Sequence, residues 1–287
     1  MKLVKTIGLS LIMSLSAFAN DGSRETLDEF EVLTNPGTNN SAYLFPAGAG
    51  GSVLFNNGPI ITNTGTGSGG LDESILQNTT LGMTTFGFAH TGDFRVADEF
   101  TVTGTGWNLE TITFYAYQTG ATASTITAVN FQIWDGVPGA PGSTVVFGDD
   151  TTNRMVSTVN SNILRVTEDT SGSAANRQIA ASTVDAGVSL APGTYWIDWQ
   201  SEGSEASGPW APPVTIPGQT TTGNAMQANA GTWGDIVDGA TATALGLPFV
   251  INGTLQAPAI IPVMDWLGYA LLLLLIVMIS RRFMVKV

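Results

Sequence analysis

Thr111-Ile112-Thr113-Phe114-Tyr115-Ala116-Tyr117-Gln118 decides the fold class of this chain. Successive side chains of a strand point to opposite faces, so Ile112, Phe114 and Ala116 share one side while Tyr115 and Tyr117 share the other. A period of two carried by β-branched and aromatic residues predicts a strand over Leu109 to Gln118. In Phe131-Gln132-Ile133-Trp134-Asp135 the same alternation sets Trp134 against Phe131 and Ile133. Tyr195, Ile197 and Trp199 likewise alternate with Trp196 and Asp198.

Outward from these runs, clusters of Gly, Thr, Asn and Ser separate further short segments rich in Val, Ile, Phe, Tyr and Trp. Strands are predicted at Ser52 to Phe55, Pro59 to Thr62, Phe94 to Thr103, Ile126 to Trp134, Thr144 to Phe147, Ile163 to Glu168, Val184 to Leu190, Thr194 to Gln200, Asn224 to Ala228 and Pro248 to Leu255. So many short strands suit an all-β fold, a jelly-roll-like β-sandwich over residues 52–256. Only Leu71 to Gln77 reads as a helical turn or two, because Asp72 and Glu73 stand where acidic residues favour a helix start. Residues 20–51, with Asn35-Pro36-Gly37 and Ala47-Gly48-Ala49-Gly50-Gly51, read as a loose leader, and no fixed-period repeat is present.

From Asn20 to Pro262 the chain carries five arginines, no lysine and 22 acidic residues, a formal charge of −17. Such a surface repels phosphate backbones and anionic headgroups, which argues against nucleic acid and against docking of this domain on a membrane. Cysteine is absent, so stability must come from a core and not from disulfides, and thiolate chemistry is excluded. A single histidine, His90, removes His-rich transition-metal sites from consideration.

The two ends carry addresses. Lys2 and Lys5 precede a short apolar run, Ile7 to Leu15, and Ala17-Phe18-Ala19 supplies the small-x-small pattern of a signal peptide, residues 1–19, cut before Asn20. At the other end, residues 257–262 form a linker, 263–280 a candidate transmembrane helix and 281–287 a basic tail. From Ile260 to Ile279 the only charge is Asp265, and at 1.5 Å per residue this stretch reaches roughly 30 Å, the hydrocarbon thickness of a bilayer. Arg281, Arg282 and Lys286 hold the far end in the cytoplasm, which places the domain outside the inner membrane.

Ile261-Pro262-Val263-Met264-Asp265-Trp266-Leu267-Gly268, the apolar stretch and the basic cluster together resemble the IPTL relatives of the PEP-CTERM sorting tails of bacteria. In that family the motif reads Ile-Pro-Thr-Leu-Ser-Glu-Trp-Gly. Ile261, Pro262 and Gly268 keep their places, Asp265 stands in for the acidic residue, and Trp266 comes one position early. The resemblance covers about the last thirty residues, and it implies that an exosortase-type membrane enzyme removes the tail near the Pro motif and passes the domain to the surface or matrix. A permanent single-pass anchor is the alternative. Phe94-Arg95-Val96-Ala97-Asp98-Glu99-Phe100, Ile133-Trp134-Asp135-Gly136, Gly193-Thr194-Tyr195-Trp196 and Gly208-Pro209-Trp210-Ala211-Pro212-Pro213, with Gly58-Pro59, look like a type of bacterial surface protein to which no activity is attached.

Several constellations bear on chemistry. Gly65-x-Gly67-x-x-Gly70 matches the dinucleotide fingerprint in letters but lacks the βαβ unit that gives it meaning, so it reads as a surface loop. His90, with Thr91-Gly92-Asp93, reads as a solvated turn, and no Gly-x-Ser-x-Gly elbow supplies a nucleophile. The acidic pairs Asp72-Glu73, Asp98-Glu99, Asp149-Asp150 and Glu168-Asp169 make calcium a candidate ligand, though neighbours on one strand point apart. A two-carboxylate glycosidase stays open, because carboxylate separation is set by the fold. Tyr115, Tyr117 and Trp134 would form a flat platform for sugar rings if their strands were neighbours; the competing reading is that they fill the core. Trp210, among prolines, reads as a loop anchor. The expectation is an exported, non-catalytic surface or matrix protein without a cofactor. The alternative is a surface-anchored carbohydrate-binding module or polysaccharide-active enzyme, with an extracellular polysaccharide as partner.

Overall fold

The computed structural model describes residues 51–76, 86–237, 242–258, Leu271 and 273–279. The signal-peptide residues Ala17, Ala19 and Asn20, the leader up to residue 50, the motif residues Ile261, Pro262, Asp265, Trp266 and Gly268, and the basic residues Arg281, Arg282 and Lys286 lie outside that set. Leu271 and residues 273–279 are helical. No helix among the described residues is long and apolar enough to cross a membrane.

Between residues 51 and 258 the described part of the chain is all-β. In chain order the strands are β1 (Ser52–Asn56), β2 (Asp72–Leu76), β3 (Phe86–Gly87), β4 (Phe94–Val102), β5 (Trp107–Ala116), β6 (Ile126–Trp134), β7 (Val145–Asp149), β8 (Met155–Thr167), β9 (Gln178–Leu190), β10 (Gly193–Gly203), β11 (Trp210–Ala211), β12 (Met226–Asn229), β13 (Thr232–Asp235) and β14 (Phe249–Leu255). They build a first six-stranded sheet, β1-β14-β5-β9-β8-β2, a second, β13-β12-β4-β10-β6-β7, and a small pair, β11-β3. All named pairings are antiparallel except β2 with β8.

The two large sheets share one core. Ile112, Phe114 and Ala116 of β5 face Phe131 and Ile133 of β6 and Ile197 and Trp199 of β10, with Phe249 and Ile251 of β14 beside them. Phe114 stacks on Trp199 at 4.7 Å between ring centroids, and Phe249 lies 5.8 Å from Trp199, so the rings bridge the layers. Burying side chains of this size contributes about 1.5–3 kcal/mol each. Leu109 joins the same core although it is three residues from Ile112. A bulge between Leu109 and Thr111 in the pairing of β5 with β9 re-aims the strand and keeps both inside.

The structure departs from the sequence expectation at several places, among them the short strands β3, β11 and β13, which lie outside the predicted strands. Asp72 to Leu76 is a strand, not a helical turn, because it pairs in parallel with β8 and Glu73 finds its hydrogen-bond donors in loops. Pro59 to Thr62 lies in no strand; it crosses the outer side of the first sheet, where Ile60 packs on Tyr115 and Tyr117. The strands over Ile163 to Glu168 and Val184 to Leu190 are the later parts of two 13-residue strands, β8 and β9.

One carboxylate sits in the core. Asp98 points inward from β4 and accepts hydrogen bonds from the Asn57 side-chain amide (2.7 Å), the Leu247 N–H (2.8 Å) and the Glu99 N–H (2.8 Å). It thereby ties the segment after β1 and the approach to β14 onto the second sheet. Burial pushes its pKa up to about 6 against the pull of those three donors.

Candidate functional site

Trp134 leads to an extended buried polar network among the described residues. Since Phe131, Ile133, Ile197 and Trp199 face the core, alternation turns Trp134, Gln132 and Asn130 of β6 and Trp196, Asp198 and Gln200 of β10 to the outer face of the second sheet. Register sets them side by side: Trp134 opposite Trp196, Gln132 opposite Asp198, Asn130 opposite Gln200. Arg95 of β4 reaches the same face, with Nε donating to Asp198 Oδ1 at 2.7 Å, Nη2 also bonded to Oδ1, and Nη1 donating to Gln200 Oε1 at 2.8 Å. The Trp134 indole N–H donates to Asp198 Oδ2. Oriented by its partners, Gln132 donates to the same oxygen at 3.1 Å and accepts from the Asp150 N–H at 3.2 Å.

Asp198 is fully buried. Burial pushes its pKa up, while the Arg95 guanidinium and then the Trp134 indole pull against that rise. The loop after β7 closes over the row, its Asp150 carbonyl accepting from Asn130 (2.8 Å) and Gln200 (3.2 Å). At its base the β6–β7 connection is pinned by Asp135, which accepts from the Thr144 N–H (2.6 Å) and hydroxyl (2.9 Å). Asp149 accepts from the N–H groups of Thr151 and Thr152 and the Thr151 hydroxyl, and these bonds hold its pKa well below the usual carboxylate range. The outcome is a rigid, half-buried indole, Trp134, aimed by a buried charge pair. That geometry suits stacking and positioning; it aligns no nucleophile with a base.

The three residues of the expected platform are not brought together. Tyr115 and Tyr117 follow from β5 in the first sheet and Trp134 from β6 in the second. Tyr115 and Tyr117 are buried on the outer side of their sheet with Ile60, Ile163, Ile179 and Val250. Trp210 packs on that cluster, and its backbone exchanges hydrogen bonds with Tyr117 at 3.0 and 2.9 Å, so it anchors the Pro-rich loop. His90 lies in a short 3-10 turn, Nδ1 3.4 Å from Glu202.

The acidic pairs divide as strand geometry demands. Asp98 points into the core, and Glu73 accepts from the Gly172 N–H (2.7 Å), the Ser171 hydroxyl (2.7 Å) and the Thr66 hydroxyl (2.9 Å). Burial acts to raise the Glu73 pKa, but these bonds, Gly172 first, outweigh it and hold the group below its ordinary value. Among the described residues no three His, Asp or Glu side chains converge as a metal would require. Asp198 and Arg95 were missed from the sequence. Their signal was the alternation Trp196-Ile197-Asp198-Trp199-Gln200, which becomes informative only once the register with Trp134 is known. No family model, curated protein or solved structure matches the chain.

Proposed function

We propose that this is an exported, non-catalytic protein of the bacterial surface or extracellular matrix, with a jelly-roll-like sandwich as its ectodomain. A signal peptide cut between Ala19 and Asn20 directs export. The C-terminal helix halts the chain in the membrane, and an exosortase-type enzyme acts near Ile261-Pro262. The use of the carboxylates supports a scaffold most. Glu73, Asp98 and Asp198 are buried and tied to donors from distant segments, while Asp135 and Asp149 close local turns. Carboxylates engaged in this way hold strands and loops in register and are poorly placed to cycle protons. The exposed apolar side chains of Leu271 and Leu273 to Ile279 suit a helix whose sides meet lipid. Mass spectrometry of the native protein tests this directly. Termini at Asn20 and near Pro262 are expected, and an intact Val287 in the membrane fraction would replace sorting by permanent anchoring.

A second reading, recognition of an extracellular glycan, is favoured by Trp134 itself, half-buried beside Trp196 with its indole oriented by Asp198. Specific binding on a glycan array that disappears in Trp134→Ala would establish it. Turnover of a polysaccharide would overturn both readings.

A further inference from the structure

On the outer face of the first sheet two arginines stand opposite one another. Register pairs Leu164 with Gln178, so the next pair outward is Arg165 with Arg177, and the Arg165 N–H donates to the Arg177 carbonyl at 2.9 Å. Each lies two residues from an isoleucine of the outer cluster, Ile163 or Ile179, so both side chains leave the backbone on that face. Arg165 is only 8% exposed, and its guanidinium carbon lies 4.9 Å from the centroid of the Tyr117 ring. The Nε atoms of Arg165 and Arg177 are buried without a hydrogen-bond partner.

Among the described residues no carboxylate forms an ion pair with either arginine; the ion pairs there engage His90, Arg95 and Arg154. The segment that follows β2, residues 77–85, contains no Asp or Glu. Burial weakens the hold of Arg165 on its proton; Tyr117 opposes that effect and Arg177 adds to it. Like charges directly opposite in an antiparallel pair are destabilising, and a buried guanidinium whose Nε finds no acceptor and whose charge meets no carboxylate is costly. A domain with 22 carboxylates against five arginines has ample means to neutralise such a pair, so its persistence needs a reason.

We propose that Arg165 and Arg177, walled on one side by Tyr117, form a binding site for an oxyanion. Two planar guanidinium groups presented side by side suit the two or three oxygens of a carboxylate, phosphate or sulfate group. Arg177, half-buried, gives the entrance, and Arg165 gives the deep contact. The group is carried either by a free inorganic anion or by an acidic sugar. This site is independent of Trp134, which belongs to the other sheet.

Calorimetric titration of the full-length chain in mild detergent and chloride buffer tests the assignment, with sodium phosphate in one arm and glucuronate in the other. Saturable one-to-one binding is expected in at least one arm, weakened at least about tenfold in Arg177→Gln and in Arg165→Gln. Tighter glucuronate assigns an acidic sugar, and tighter phosphate a free anion; both support the site. Thermal unfolding supplies a second readout that survives if Arg165→Gln does not fold. Without oxyanion, Arg177→Gln should melt at or above the wild-type temperature, and saturating ligand should raise wild type but not the variant. Absence of saturable binding by folded wild type to either probe, or equal binding by wild type and Arg177→Gln, overturns the proposal.

Discussion

The outer faces of the two six-stranded sheets treat a buried arginine in opposite ways. On the second sheet Arg95 meets Asp198, and the pair is wrapped by Gln200, Gln132 and Trp134 until its hydrogen-bonding capacity is largely used. On the first sheet Arg165 meets Arg177, with an aromatic ring for company and no carboxylate among the described residues. Charge neutralised from within makes a girder, whereas charge left over invites something from outside. The lesson is that net charge says little about a face. In a domain of charge −17, one row of residues is locally positive because strand register puts two arginines across from each other.

The harshest way to break the contrast is to remove the internal counter-charge. Asp198→Ala leaves Arg95 buried and unpaired, so urea unfolding should show a loss of about 3–5 kcal/mol. A loss below about 1 kcal/mol would mean that water or a neighbour already serves Arg95.

Asp98 sharpens the comparison, because it is buried in the core with neutral donors and no arginine. Its pKa rises from 3.8 to about 6, so the folded chain keeps a proton that the unfolded chain gives up. That contribution is complete below about pH 4 and is lost as pH rises through about 6, roughly 3 kcal/mol in all. Unfolding free energies across this range should fall for wild type and stay flatter for Asp98→Asn. Parallel profiles would place the proton elsewhere.

Glu73 should behave with the other sign. Its folded pKa is depressed, so its contribution is present above the unfolded value and disappears as the solution is acidified. Glu73→Gln turns one acceptor oxygen into a donor facing donors, at a cost of about 1–3 kcal/mol by chemical denaturation. The smallest effect belongs to Trp134→Phe, which removes the indole N–H from Asp198 together with part of a half-buried ring and should cost about 0.5–1.5 kcal/mol.

What could be read from the chain alone follows where its energy lies. β4, β5, β6 and β10 were legible because large residues alternate on a face that must be buried, as Ile112, Phe114 and Ala116 do. β2 was not, since Asp72-Glu73 favours a helix start locally and only the distant donors of Gly172 and Ser171 make an extended Glu73 tolerable. The first part of β8, Met155 to Ser161, is too polar to announce itself and is held by pairing with β9. Trp134 was legible as part of the candidate site, but the condition for a shared platform, that its strand neighbour that of Tyr115 and Tyr117, is not met, and the two tyrosines are buried as the competing reading expects. Consecutive strands usually pair, whereas here residues 117–125 carry the chain from one layer to the other, so β5 and β6 fall in different sheets.

A pair of double-mutant cycles bears most directly on the contrast between the faces. Coupling energies for Arg95 with Asp198 and for Arg165 with Arg177, each residue replaced by a neutral amide, should come out with opposite signs in chloride buffer: the first pair mutually stabilising, the second mutually destabilising. Two couplings of the same sign would contradict the account.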